Sequence, residues 1–176
     1  TIHPFSDGNG RIGRVLISRS LVKEGLLEHP VVYMSAYVNE HKRQYADLLL
    51  RISQEGGDAW SDWIAFFLDA IRTQTLDAIW RSEELIDIQV RFHDRLKTDG
   101  APPRLFPVID SLFASPAINI AELMQQTDTV KTTAGKDMDR LERLGILREH
   151  TGRERERDWL AQEIIDVITK EVPSNE

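Results

Sequence analysis

The segment His3-Pro4-Phe5-Ser6-Asp7-Gly8-Asn9-Gly10-Arg11-Ile12-Gly13-Arg14 holds a histidine, a carboxylate, three glycines, an asparagine and two arginines within twelve residues. Each type has a use. Gly8, Asn9 and Gly10 tolerate positive φ, so successive backbone N–H groups can turn inward as an anion-binding nest. A helix starting behind them adds unpaired donors and a positive partial charge. Arg11 and Arg14 are three apart, on one helix face, where two guanidinium groups suit a di- or triphosphate. Asp7 stands at the rim of the nest as a candidate Mg²⁺ ligand, because Mg²⁺ takes one or two protein carboxylates together with phosphate oxygens. His3 titrates near neutral pH and can take a proton from an attacking hydroxyl. Phe5, the one apolar residue between them, is expected to anchor the loop in a core.

The elements that must position this loop follow from the apolar pattern. Ile12, Val15, Leu16, Arg19 and Val22 trace a stripe that predicts a helix from Ile12 to Glu24, closed by Gly25. His29 to Val32 reads as a connector. A second helix, capped by Ser35 or Asn39, runs through Tyr45, Leu48, Leu49 and Ile52 and ends at Gly56-Gly57-Asp58. From Ala59 to about Lys97 there is neither Pro nor Gly. Trp60, Trp63, Ile64, Phe67, Leu68, Ile71 and Leu76 recur there at helical spacing and predict a core stripe on one long helix, or on two broken near Thr73–Thr75. Thr98-Asp-Gly-Ala-Pro-Pro-Arg104 is the clearest boundary. Beyond it three short helices (Leu105–Phe113, Ala121–Gln126 and Val130–Leu144), two strands around a Thr151–Gly152 turn and a last helix Ala161–Thr169 give the order of a winged helix-turn-helix. The expected organisation is therefore 1–97, a linker 98–104, and 105–176, in a mainly α fold.

Composition narrows the classes. Apolar residues are 41% and charged residues 29%, an ordinary globular balance. There is no cysteine, which excludes disulfide frameworks and thiolate metal sites and suits a cytoplasmic setting. No apolar run reaches the length of a membrane span. A net charge of −7 argues against non-specific binding to nucleic acid or anionic membrane. His29, His41, His93 and His150 show no metal-site spacing.

Taken together, His3, Phe5, Asp7, Gly8, Asn9, Gly10, Arg11 and Arg14 resemble the signature of the Fic (filamentation induced by cAMP) family, HxFx(D/E)GNGRxxR, with Pro4 also typical. Eight fixed positions matching by chance has odds on the order of 10⁻¹⁰ per starting position. "GLLEHPVVYMSAYVNEHKRQYADLL" is similar to the segment that follows the signature in that family. Of the tyrosine pair found there beside the adenine, only Tyr45 carries over, since Gln44 occupies the other place. Ile52 or Ser53 falls where some relatives have an adenine-side amide. "GGDAWSDWIAFFLDAI" resembles the long helix that closes the family's domain, and the tail resembles the winged-helix appendage of many bacterial members.

The resemblance implies a Fic-type helical bundle followed by a small winged helix-turn-helix domain with a β-hairpin. It implies transfer of AMP from ATP to a Ser, Thr or Tyr hydroxyl of a target protein or of the chain itself. His3 would be the general base. Gly8, Asn9, Gly10 and Arg11 would hold the phosphates, Asp7 the Mg²⁺, Arg14 the distal phosphate, and Tyr45 would lie at the base. Alternatives are a relative that moves another phosphate-containing group or removes AMP, and a nucleotide-sensing or DNA-binding regulator.

Members of the family carry several helices and a β-hairpin flap before the signature. The chain, opening at Thr1, is thus expected to be a piece of a longer protein, its bundle incomplete on the N-terminal side. That piece is expected to associate with its N-terminal part or with a second copy, and it need not be active alone. Ser20, Glu24 and Gly25 fit the family's inhibitory motif (S/T)xxxE(G/N). The reading is rejected, because Glu24 lies about 15 Å along the helix axis from Arg14.

In the tail, Lys131, Thr132, Thr133 and Lys136 could face a DNA groove, and Arg153, Arg155 and Arg157 alternate with acids along the wing. Residues 104–176 nonetheless hold ten Lys and Arg against fourteen Asp and Glu, a net of −4. Target docking or dimer contact is favoured over DNA.

Overall fold

Glycines at positive φ mark where the helices stop. The computed structural model describes residues 4–30, 33–57, 59–152 and 157–170. The chain is mainly helical and forms two compact units, Thr1–Trp80 and Arg81–Glu176.

In the first unit α1 spans Asn9–Lys23, beginning three residues earlier than the apolar stripe suggests. Its end is the expected one. Gly25, at φ 71, donates its N–H to the Val22 carbonyl, and Leu26 donates to Leu21, the paired bonds of a Schellman close. The next expected helix is two: α2 (Met34–Glu40) and α3 (Lys42–Glu55). Neither Ser35 nor Asn39 caps anything, since both lie inside α2. The break is at His41, whose ring stacks on Tyr37 at 4.1 Å and whose Nδ1 lies 3.0 Å from the Tyr37 carbonyl oxygen. That contact holds His41 at φ −106, ψ 34, outside helical geometry. Then α4 runs without interruption from Ala59 to Thr98, with no break at Thr73–Thr75.

The core of this unit is Met34, Tyr37, Val38, Leu48, Phe66 and Ala70, with Trp63, Phe67, Ile71, Tyr45, Leu27 and Ile17 packed against it. The expected α4 stripe is thus met in part, at Trp63, Phe67 and Ile71. Trp60, Ile64, Leu68 and Leu76 are exposed, while Phe66 and Ala70 face α2 and α3. The α4 sequence is apolar on more than one side, so spacing alone does not choose the buried face. The α1 stripe fares similarly: no α1 residue is fully buried, and Ile12, Val15 and Leu16 are exposed.

In the second unit, Ile88, Phe92 and Leu96 of α4 join a core completed by Leu105, Ile109, Leu123, Met138, Leu141, Trp159 and Ile164. This packing places the division between units at Trp80 and Arg81, whereas the sequence pattern breaks at 98–104. Within that stretch Arg104 is tied to the second unit, its Nε and Nη2 donating to the buried Asp137 carboxylate at 2.9 and 3.0 Å. A 3-10 turn (Pro103–Leu105) leads into α5 (Phe106–Leu112). There follow β1 (Ala117–Asn119), α6 (Ile120–Thr127), α7 (Lys131–Arg143), β2 (Arg148–Glu149), β3 (Asp158–Leu160) and α8 (Gln162–Thr169).

Strand β1 has no counterpart in the sequence reading, being too short to show alternation. It pairs antiparallel with β3, Ile118 opposite Trp159, giving a sheet ordered β1-β3-β2. Helix α6 opens on a reciprocal capping box between Asn119 and Glu122. Three helices with this small sheet make the winged helix-turn-helix arrangement, and Ala134, Met138 and Leu141 bury one face of α7.

Candidate anion-binding site

The mouth of α1 is built by its own sequence. Gly8, at φ 81 and ψ 2, is left-handed, and Asn9 after it is already helical. This left-then-right alternation turns consecutive N–H groups to one side. A side chain at Gly8 would be strained by that φ. The Asn9 side chain grips the loop ahead of it: Oδ1 accepts from the Phe5 N–H at 3.1 Å, and Nδ2 donates to the Phe5 carbonyl at 2.7 Å. One amide thereby holds both backbone polar groups of Phe5. The Gly8 N–H donates to Asp7 Oδ1 at 2.6 Å. The cup available to an anion is therefore the N–H groups of Asn9, Gly10 and Arg11, which a helix start leaves without carbonyl partners. No acidic side chain lies in the first turn of α1 to neutralise them.

Both arginines lean back over this mouth. Helical side chains point toward the N-terminus, so Arg11 and Arg14 reach over residues four before them. A Cβ on Gly8 would meet the Arg11 guanidinium at 3.5 Å, and one on Gly10 would stand 3.3 Å from Arg14 Nη1. Arg11 Nη2 lies 3.3 Å from Asp7 Oδ2 in an ion pair whose side chains are 74% and 92% exposed. Such a pair is worth well under about 1 kcal/mol, so either member can change partner at little cost. Arg14 takes a different partner: its Nε donates to Ser35 Oγ of α2 at 3.1 Å.

Asp7, Gly8, Asn9, Gly10, Arg11 and Arg14 are thus brought together. His3 lies outside the described residues, as do Arg153 and Arg155 of the wing. Tyr45 sits among aromatic rings, 5.5 Å from Trp63 and 6.2 Å from Phe66. Phe5 is not a core anchor. It is 52% exposed, and Asn9 rather than burial holds its backbone. For a cation, Asp7 offers one exposed carboxylate beside the cup, which fits Mg²⁺ only when phosphate oxygens complete the shell. Among the described residues no group of three or more His, Asp or Glu could hold a metal.

Two features escape sequence reasoning. Ser35 reads as a helix cap, and nothing in the spacing announces a bond to a side chain 21 residues earlier. A cleft of about 610 Å³ lies between α2, α3 and α4, lined by Tyr37, Gln44, Asp47, Arg51, Asp62 and Asp69 among others. There the Tyr37 hydroxyl donates to Asp69 at 2.6 Å. Burial and that carboxylate push the phenol up to about 12. Arg51 pairs with Asp62 at 2.8 Å.

In the tail, Lys131, Thr132 and Lys136 are exposed and Thr133 is half-buried. Two acids of α7 are engaged internally: Asp137 with Arg104, and Glu142 with the Trp159 indole N–H at 3.2 Å. Arg157 lies over the Trp159 ring at 4.7 Å. Among the described residues no helix is long and apolar enough to cross a membrane.

The Fic/DOC family model matches residues 1–21, the loop and most of α1. A protein adenylyltransferase Fic of Aedes aegypti is 32% identical over 102 residues, 57% of this chain and 18% of that protein. Its namesake in Culex quinquefasciatus is 35% identical over 85 residues, 48% of this chain and 15% of that protein. A probable protein adenylyltransferase of Aquifex aeolicus is 65% identical over 26 residues, 15% of this chain and 8% of that protein. The chain spans under a fifth of the length of the insect relatives it matches.

Proposed function

We propose, from the premise that this chain belongs to the Fic family, that it carries the nucleotide-gripping and proton-accepting part of a protein adenylyltransferase. The reaction moves AMP from ATP to a Ser, Thr or Tyr hydroxyl of a target protein or of the chain itself. His3 accepts the hydroxyl proton as the oxygen bonds to the α-phosphorus. The bond from that phosphorus to the bridging oxygen breaks, and pyrophosphate leaves with the electron pair. The N–H groups of Asn9, Gly10 and Arg11 bind the phosphate oxygens, the Arg11 guanidinium adds its charge, and Arg14 holds the distal phosphate. Such transfer needs mainly alignment and charge neutralisation, which a fixed cup supplies without reorganisation. Asp7 is the residue that would hold Mg²⁺, which when bound neutralises phosphate charge. Tyr45 is proposed to lie on the adenine side.

The observation that carries this reading is the α1 mouth itself: a left-handed Gly8, a loop clipped by Asn9, unpaired N–H groups and two arginines leaning over them. The test is mass spectrometry of the chain incubated with labelled ATP and Mg²⁺. An adduct of one AMP on the chain or an added target is expected, and His3→Ala should cut its rate by about 10²–10⁴-fold while ATP binding persists. A phosphate or other adduct, release of AMP from a modified protein, or a His3→Ala variant at full rate would contradict it.

A further inference from the structure

We infer that Ser35 is a positioning residue, which aims the Arg14 guanidinium at the distal phosphates of the nucleotide; this rests on the reading just given. An arginine side chain has four rotatable bonds, and its usefulness to a polyphosphate depends on where its planar fork is held. Three observations fix the Arg14 fork. Its Nε is taken by Ser35 Oγ at 3.1 Å, across 21 residues of chain and from another helix. Its Nη1 lies 3.3 Å from where a Cβ of Gly10 would be, so the absence of a side chain there lets the guanidinium come down over the helix mouth. Arg14 is half-buried, unlike the exposed Arg11.

The division of labour follows from the donor inventory. Arginine has one Nε–H and four N–H on its terminal nitrogens. Ser35 uses the first. Among the described residues none takes the others, which stand beside the N–H groups of the cup. Asp7 competes for Arg11, whereas a neutral hydroxyl holds Arg14 without cancelling its charge. Ser35 thus orders the fork before the anion arrives and lowers the entropy lost on binding. Ser35 need not touch the nucleotide, and its effect should appear only through Arg14.

The test is a cycle of calorimetric titrations on the 176-residue chain, using Mg²⁺-ATP and, separately, AMP. The proteins are the unaltered chain, Ser35→Ala, Arg14→Ala and the double variant, with Ser35→Thr and Arg14→Lys as controls. Arg14→Ala should weaken ATP binding by about tenfold or more. Ser35→Ala should weaken it about three- to tenfold, the span of one such hydrogen bond, and leave AMP binding unchanged. The double variant should match Arg14→Ala. Ser35→Thr should restore affinity, and Ser35→Ala should have no effect in an Arg14→Lys background, because lysine has no Nε–H to hold.

Equal losses for ATP and AMP, or a Ser35 effect that persists without Arg14, would show Ser35 to be only a structural part of α2 and overturn the inference. So would Ser35→Ala binding ATP like the unaltered chain while Arg14→Ala does not, and that result leaves the functional reading standing. An unaltered chain that binds no ATP, or Arg14→Ala binding as tightly as the parent, overturns the functional reading itself.

Discussion

At the scale of single residues, Asn9 does the most with the fewest atoms. Its amide satisfies both the N–H and the carbonyl of Phe5, and only a side chain with a donor and an acceptor side by side can do so. Asn9→Ala should release the loop, at about 1–2 kcal/mol for two exposed hydrogen bonds, and lower ATP affinity several-fold. Asn9→Asp is the sharper test. It keeps the acceptor, loses the donor and sets a negative charge at the edge of the cup. It should bind ATP more weakly than Asn9→Ala in a calorimetric titration, and binding equal to the parent would contradict the cup. These residues were legible in the sequence because their chemistry is local: Gly8, Asn9, Gly10, Arg11 and Arg14 act within two helical turns. The burial of Phe5 was not legible, since it depends on what packs over the loop. Nor was the partner of Ser35, which is set by how α1 meets α2.

At the scale of elements, the helices were legible and their phases were not. Periodicity places α1, α4 and α7 within a few residues, and Gly25 ends α1 where the sequence puts it. It fails at His41, where a ring stacked on Tyr37 divides one apolar run into α2 and α3. It fails again on α4, whose Trp60, Ile64 and Leu68 lie outside while Phe66 and Ala70 lie inside. Beside the apolar packing of Met34 and Val38 with Phe66 and Ala70, a polar contact also links α2 to α4, Tyr37 to Asp69. Burial first, and the carboxylate second, raise that phenol from about 10 to about 12. The folded state thus favours the neutral phenol. Its contribution to stability is complete below pH 10 and is lost as pH rises through about 12. Urea denaturation followed by circular dichroism between pH 9 and 12 should show the unaltered chain losing stability more steeply than Tyr37→Phe. The variant should also be weaker at pH 7, where Asp69 has lost its donor. Parallel pH profiles would mean that the hydroxyl titrates alike in the folded and unfolded chain.

At the scale of the whole molecule, two units have separate cores, and the proposed site at the mouth of α1 belongs to the first. The winged-helix order of the second was legible because capping and turn residues punctuate it closely. The three-residue β1 was not, because its place in the sheet is decided by pairing with β3, 40 residues on. In the function proposed, the mouth of α1 grips the phosphates of a nucleotide. The most direct measurement is a titration of the ¹⁵N-labelled chain with Mg²⁺-ATP, ADP and AMP, read at each backbone amide. The largest shifts should fall on Asn9, Gly10 and Arg11, and they should shrink from ATP to AMP as phosphates are removed. Shifts centred instead on the Tyr37–Asp69 cleft, or equal for all three nucleotides, would contradict it.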